Sequence, residues 1–286
     1  MAILLFTTTD IRSPRRPEFV RLLSSILASE NAAADLRHYV LLQNCLPDEL
    51  GAYRAKAPAC CRMVAVPGRL SLAEARNQLM ALALEERSLQ RDDIVGFPDD
   101  DCWFPPRFLD RLAGIFADRQ ALDLLICRVS LEPDLASSST DSVMPASAPQ
   151  VVRLSSSNNM FLRGSLVASI GSFDTGLGLG TSAGGGEDTD YAIRAFLNGS
   201  ETGIIDRALV GHPAPDRDSA AKYFRGALIV LARYARSRPD LTREFLRKLL
   251  VGGYFFARGK LSARIYGQAL REAVPGLRRA VTPRAA

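Results

Sequence analysis

No apolar run in the sequence approaches the roughly 18 residues that a membrane-spanning helix needs. The N-terminus, MAILLFTTTD, is too short an apolar stretch for a secretory signal and reads as a buried first strand. Paired cysteines are also missing. Cys45, Cys60, Cys61, Cys102 and Cys127 contain no Cys-x-x-Cys pair, and vicinal Cys60–Cys61 suits neither a disulfide nor zinc. Free reduced thiols and a cytoplasmic location are therefore expected. No internal repeat is present.

Acidic residues are scarce in the last quarter. From Arg217 onward the chain holds 16 Lys/Arg and four Asp/Glu, against 20 and 27 before it, so the net +5 hides an acidic body and a basic tail. An acidic body argues against a nucleic-acid partner. A basic tail suits anionic lipid head groups or a polyanionic acceptor, or is an ordinary solvated helical face. With 47% hydrophobic and 23% charged residues, 286 residues suffice for one large domain, or one domain plus a smaller tail.

What is present alternates. Ala2–Phe6 is a short apolar run ending in Thr7-Thr-Thr-Asp10, a buried strand with a polar edge. Pro17 to Leu27 has helical spacing. His38–Leu42 and Met63–Val66 read as strands. Ser71-Leu-Ala-Glu74 is a capping box, opening a helix whose stripe is Leu72, Ala75, Leu79 and Leu82. Asp93–Phe97 is a strand that ends in Asp99–Asp101, and Pro105–Pro106 opens a helix with Phe108, Leu109, Leu112 and Phe116 inward. Leu122–Val129 is a further strand. This order predicts an α/β fold with an open, mostly parallel sheet flanked by helices, and ligands at the carboxyl ends of its strands.

Glu132–Gln150, rich in Ser, Ala and Pro, reads as a mobile surface loop. Val151–Gly164 is expected to be a strand and turn, followed by a short helix and the glycine-rich stretch Gly171–Gly186. A helix over Thr189–Leu197 and a strand over Ile204–Val210 come next. The rest is expected to be basic and helical, broken at Pro239, Gly252–Gly253, Gly259 and Pro275.

Four clusters carry chemistry. Asp99, Asp100 and Asp101 repel one another at a strand end, a cost that a divalent cation removes and a solvated acidic turn tolerates. Asp188, in Gly184-Gly-Gly-Glu-Asp-Thr-Asp190, is either a helix N-cap or a general base for an attacking hydroxyl. His212 closes a strand between Gly211 and Pro213, as a structural histidine or a third metal ligand; His38 is taken as structural. Arg76, within the first two turns of the capped helix, pairs with a diphosphate or a carboxylate, or caps the neighbouring acidic strand end.

In that order the clusters resemble the family 2 glycosyltransferases of the GT-A fold. The resemblance covers roughly residues 1–215. It rests on the Thr7–Arg12 loop, Ala75-Arg-Asn77, the three aspartates, Asn158-Asn-Met-Phe-Leu-Arg163 and Gly171-Ser-Phe-Asp174. Gly186-Glu-Asp-Thr-Asp190 with Arg194, and then His212, complete it. It implies a GT-A domain over 1–215, a basic helical region over 216–286, and sugar transfer with inversion. The donor would be a nucleotide-diphosphate sugar, with a UDP-sugar first, and Mn2+ or Mg2+ the cofactor. Asp99, Asp101 and His212 would hold the metal, with Asp99 also on the donor ribose and Asp100 between them. Asp188 would be the base and Glu187 would hold acceptor hydroxyls. Thr8, Asp10, Arg12 and Arg76 would form the nucleotide pocket, and Trp103 a sugar platform or core.

The family's aromatic before Gly-Glu-Asp is replaced by Thr181-Ser-Ala-Gly-Gly-Gly186, which predicts a flexible acceptor loop. A saccharide or lipid-linked acceptor, polysaccharide or glycolipid synthesis, a homodimer and peripheral contact with an anionic membrane through the tail complete the expectation. The interleaved Arg/Lys and apolar residues of Leu241–Tyr266 carry the membrane part. Two alternatives stay open. A sugar nucleotidyltransferase would want glycine and lysine after the first strand, and Thr7–Pro14 has neither. A scaffold acting through the tail would not need Asp99, Asp101, Asp188 and His212 together.

Overall fold

The structure is a computed structural model and describes residues 1–28, 35–133, 142–214 and 219–278. Its first half runs β1 (Ala2–Asp10), α1 (Arg16–Leu27), β2 (Asp35–Gln43), α2 (Leu50–Arg54), β3 (Cys61–Ala65), α3 (Leu72–Glu85), β4 (Ile94–Gly96), α4 (Phe108–Asp118) and β5 (Leu122–Ser130). Then come β6 (Met144–Pro145), α5 (Ala148–Leu154), a 3-10 turn at Ser157–Asn159, β7 (Met160–Arg163), α6 (Gly164–Ile170), α7 (Glu187–Asn198) and β8 (Glu201–Gly211). Four helices close the described chain: α8 (Ser219–Lys222), α9 (Phe224–Tyr234), α10 (Pro239–Ala257) and α11 (Ala263–Arg278).

All eight strands form one sheet in the order β3-β2-β1-β4-β7-β5-β8-β6. β3, β2, β1 and β4 are parallel neighbours, and so are β5 and β8. β7 lies antiparallel between β4 and β5, and β6 is antiparallel at the β8 edge. The sheet is therefore mixed. The expected parallel run holds through β4 and stops where β7 inserts.

Period-two alternation in β1 feeds both faces of the sheet. Ile3 and Leu5 join Val40 and Leu42 under Phe19, Leu22 and Ile26 of α1 and Leu112 and Phe116 of α4. Leu4 and Phe6 join Tyr39 and Leu41 on the opposite face, under Ala75 and Leu79 of α3 and Tyr191 and Ala192 of α7. A third cluster lies outside α5 and α7: Ala148 and Ile193 pack with Phe224, Leu228 and Leu231 of α9, Leu241 of α10 and Ala269 of α11. The domain boundary expected at 215 falls outside the described residues.

Several local expectations change. Val151–Leu154 is the end of helix α5 and not a strand; Pro149 sits in its first turn, and the Ser147 amide donates to Gln150 Oε1 at 2.9 Å. Of the loop expected over 132–150, residues 134–141 lie outside the described residues, whereas β6 and the start of α5 are regular structure. Gly252–Gly253 does not break α10. Gly252 is a notch for the Phe224 ring, because a Cβ there would come 2.2 Å from it. Pro275 removes one amide from the last turn of α11 without ending the helix. Leu82 is only half-buried, and Ala83 takes the inward position beside it.

Candidate active site

β4 ends at Gly96, and Phe97 anchors the exit from the sheet. Its ring stacks on Phe6 and meets Phe173 and Tyr191 edge-on. The three aspartates that follow take different partners. Asn158 Oδ1 accepts the Asp99 amide at 2.7 Å, and its Nδ2 donates to Asp99 Oδ2 at 3.0 Å. Asp100 Oδ2 accepts from the Thr9 hydroxyl at 2.7 Å. Asp101 Oδ2 lies 3.0 Å from Arg15 Nη1, and the Asp101 carbonyl accepts from Arg21 Nη2 at 2.9 Å.

β8 delivers His212 to this cluster. Two backbone hydrogen bonds between Trp103 and Gly211, 3.0 and 2.8 Å long, pin the end of β8 just past Asp101. Only glycine fits at 211, because a Cβ would come 2.0 Å from the Trp103 indole. Trp103 is half-buried there, with the Arg21 guanidinium 3.7 Å from the ring centroid. His212 Nδ1 lies 2.7 Å from the Pro213 carbonyl, which only accepts, so in the neutral ring Nδ1 carries the proton and Nε2 presents its lone pair. Nε2 is 3.3 Å from Asp101 Oδ1, a buried oxygen that accepts no hydrogen bond. One ligand atom each from Asp99, Asp101 and His212 lie within 4.8 Å of one another. Two carboxylates and an imidazole, with one oxygen left unsatisfied, fit a divalent cation such as Mn2+.

Arg76 links this end of the sheet to α7. It is 1% exposed, and Phe173 lies 5.2 Å below the guanidinium. Nη2 donates to Asp99 Oδ1 at 3.0 Å and Nη1 to Asp188 Oδ1 at 2.7 Å. Of the two readings open for Arg76, the geometry is that of the ion pair: two nitrogens are committed to carboxylates. The other oxygen of Asp188 accepts the Ser157 amide at 2.9 Å. The N-cap of α7 is Gly186, at φ 98°, and Asp188 turns toward Arg76 and Ser157. The N-cap reading of Asp188 therefore falls away.

Burial pushes the Asp100 carboxyl up to about 6. Burial, and then the charge of Asp188, pushes Glu187 up to about 7. Asp99 is also raised by burial, against the pull of Arg76. For Asp101, burial acts upward, but His212 and Arg15 outweigh it and hold the carboxyl below the usual range. His212 is the mirror case: burial acts downward, and Asp101 raises it overall. His38 is buried with Nε2 2.9 Å from the Thr7 hydroxyl, and burial depresses it to about 3, as suits a structural histidine.

The remaining expected residues sit at the carboxyl end of β1 with partners of their own. Thr8 Oγ1 accepts from Gln43 Nε2 at 2.7 Å, Asp10 Oδ1 accepts the Arg12 amide at 2.9 Å, and Arg12 Nη2 pairs with Glu49 at 2.6 Å. Sequence reasoning gave no role to Thr9, Arg15, Arg21, Ser157 or Asn158. Only Thr9, inside the Thr7–Arg12 loop, and Asn158, inside the Asn158–Arg163 segment, carried a signal. The acceptor loop differs from its expectation of freedom. Gly185 and Gly186 lie against Gly226 of α9, where a Cβ would come 2.0 Å from the Gly185 carbonyl oxygen.

No protein-family model and no curated protein matches the sequence. Solved structures do. S. aureus TarS superimposes with a TM-score of 0.64 at 13% identity, over 97% of this chain and 54% of TarS, so the chain spans about half of that protein. TarS 1–349 in complex with UDP-GlcNAc gives 0.57 at 12% identity, over 97% and 90%. Mannosyltransferase PcManGT from Pyrobaculum calidifontis, in complex with GDP-Man and Mn2+, gives 0.58 at 15% identity, over 96% and 74%. Identities this low speak for architecture: the chain has the GT-A-type fold of these proteins, with a mixed eight-stranded sheet.

Proposed function

We propose that the chain is an inverting, cation-dependent glycosyltransferase that moves a sugar from a nucleotide-diphosphate donor to a hydroxyl acceptor. One observation carries the reading. A donor set of Asp99, Asp101 and His212 lies a single buried guanidinium away from Asp188, a carboxylate at the start of α7. The ligands of the similar proteins, UDP-GlcNAc and GDP-Man with Mn2+, support a nucleotide-sugar donor, and a UDP-sugar is the first choice.

Asp99, Asp101 and His212 would hold the cation, whose chemistry when bound is to neutralise charge on the leaving diphosphate. Asp188 accepts the proton of the acceptor hydroxyl as that oxygen attacks the anomeric carbon. Arg76 fixes the Asp188 carboxylate in place. A single base gives a single displacement, so the anomeric configuration inverts. Glu187 orients the acceptor, and Thr8, Asp10 and Arg12 border the nucleotide at the end of β1. Residues 1–215 form the donor-binding and catalytic part, and 216–286 the basic helical part. The setting we infer is polysaccharide or glycolipid synthesis at a membrane surface, with a saccharide or lipid-linked acceptor.

Calorimetric titration with nucleotide sugars, with and without Mn2+, tests this. Asp101→Ala is expected to abolish metal-dependent nucleotide binding, and intact binding would overturn the ligand assignment. Asp188→Asn should bind donor normally and lose transfer by roughly 10²–10⁴-fold. Loss of donor binding in that variant would mean a structural role instead.

A further inference from the structure

α10 buries one side and leaves the other bare. Leu241, Phe245 and Gly252 face inward, in the cluster shared with α5 and α9 or against the Phe224 ring. Glu244 is buried with them and paired to Arg153 and Arg247. At i, i+4 and i+8 on the outer side stand Leu246, Leu250 and Tyr254, which are 52%, 77% and 58% exposed. Helical spacing puts Arg243, Arg247 and Arg258 on that same side. Arg247 is held by the buried Glu244 and Asp240 is paired with Arg238 in the first turn, so neither acidic residue of α10 opposes Arg243 or Arg258. Lys260 in the α10–α11 turn and Arg264 in the first turn of α11 are exposed as well.

Size and charge decide what such a face meets. The apolar stripe runs from Leu246 to Tyr254, eight residue steps or about 12 Å along the helix. Three side chains fall well short of the ~800 Å² per partner that a stable protein interface buries. A twofold pairing of the face with itself would set arginine against arginine. A surface of phosphate head groups over acyl chains takes both components at once. We propose that this α10 face docks the protein on an anionic lipid surface. Leu246, Leu250 and Tyr254 enter the boundary between head groups and acyl chains, and Arg243 and Arg258 contact the phosphates. The proposal gives the membrane setting of the transferase reading a physical address, and it rests on no residue of the candidate active site.

The test is cosedimentation of the full chain with phosphatidylglycerol–phosphatidylcholine vesicles and with phosphatidylcholine vesicles alone. The parent is expected to bind the anionic vesicles at least about tenfold more tightly, and to be released by salt. Leu246→Ser/Leu250→Ser/Tyr254→Ser should lose binding at least about tenfold with an unchanged melting curve. The single Leu250→Glu, at the most exposed of the three sites, serves if the triple variant folds poorly. Arg243→Gln/Arg258→Gln should lose the preference for anionic vesicles, by roughly tenfold or more. Equal binding to both vesicle types, undiminished binding by the variants, or a parent dimer that Leu250→Glu makes monomeric each overturns the proposal. Nucleotide binding measured without vesicles reads the transferase function separately, so either idea can fail alone.

Discussion

Arg15 holds Nη1 3.0 Å from Asp101 Oδ2 and 3.7 Å from Asp100 Oδ1. A cation drawn to Asp99, Asp101 and His212 meets that guanidinium as a competitor for the same negative charge. Arg15→Gln is therefore expected to tighten Mn2+ binding in the absence of donor. Because Arg15 is more than half exposed, the gain should be severalfold rather than hundredfold. Unchanged or weaker affinity by calorimetry would remove the competition. Glu187 offers a second test, through pH. Its carboxyl sits at about 7 in the folded chain, raised by burial and then by Asp188, and falls to ~4.3 on unfolding. A raised folded value gives stability that is complete below the unfolded value and is lost as pH rises through about 7. Glu187→Gln does not titrate. Its stability relative to the parent should climb between pH 5 and pH 8, by roughly 2–3 kcal/mol. A flat difference in urea midpoints across that range would contradict a buried, protonated Glu187.

Among the elements, α9 and the Gly184–Gly186 loop form the contact that matters to α7. Gly226 of α9 and Gly185 approach backbone to backbone, and a Cβ on Gly226 would come 2.0 Å from the Gly185 carbonyl oxygen. Two effects compete in Gly226→Ala. Helix propensity favours alanine by about 1 kcal/mol. The clash is with main chain, which has no rotamer to yield, and overpacking of this kind costs roughly 1–3 kcal/mol or more. The clash should win. The expected result is a lower melting temperature together with a reduced kcat, because the displaced loop leads directly into Glu187 and Asp188. A stabilised variant with parental turnover would show that the loop adapts freely. The same loop carries a reading that changed. Three glycines in a row suggest freedom when seen along the chain, whereas across space they allow a helix to sit close.

At the scale of the whole molecule, the basic C-terminal region is part of the core. Phe224, Leu228, Leu231 and Leu241 are buried with Ala148 of α5 and Ile193 of α7. Tyr234 of α9 donates its hydroxyl to Asp190 of α7 at 2.9 Å, and Arg194 holds the other oxygen of Asp190 at 2.8 Å. Each large apolar side chain buried here contributes about 1.5–3 kcal/mol, against a net domain stability of roughly 5–15 kcal/mol. A chain ending at residue 214 is therefore expected to lose cooperative unfolding, read by circular dichroism during thermal melting. A sharp transition near that of the full chain would show that residues 1–214 stand alone. This is why the lipid surface is tested with substitutions on α10 and not by truncation.

Much of the candidate site was legible because it rests on local order. Alternating strands and helices gave β1 to β5 and α1, α3 and α4, but not the short α2. The Ser71–Glu74 box marked the start of α3, and a strand running into three aspartates marked the site, since carboxylates at a strand end are dear to fold without a cation. The helix at Val151–Leu154 was missed because a short apolar run has no decisive period and its capping comes from Ser147–Gln150, inside a stretch that reads as loop. Arg15 and Ser157 were missed because one arginine or serine among many carries no pattern. The sequence by itself determined the layered α/β class, the order of the clusters and the absence of any long apolar span. Tertiary structure alone decided that Arg76 joins Asp99 to Asp188, that Trp103 and Gly211 bring His212 to Asp101, and that one side of the basic tail is core. The physical reason is range. Periodicity and capping act over a few residues, whereas ion pairs, backbone contacts and burial join distant groups: Arg76 and Asp188 are 112 positions apart in the chain, and the buried Leu4 and Tyr191 farther still.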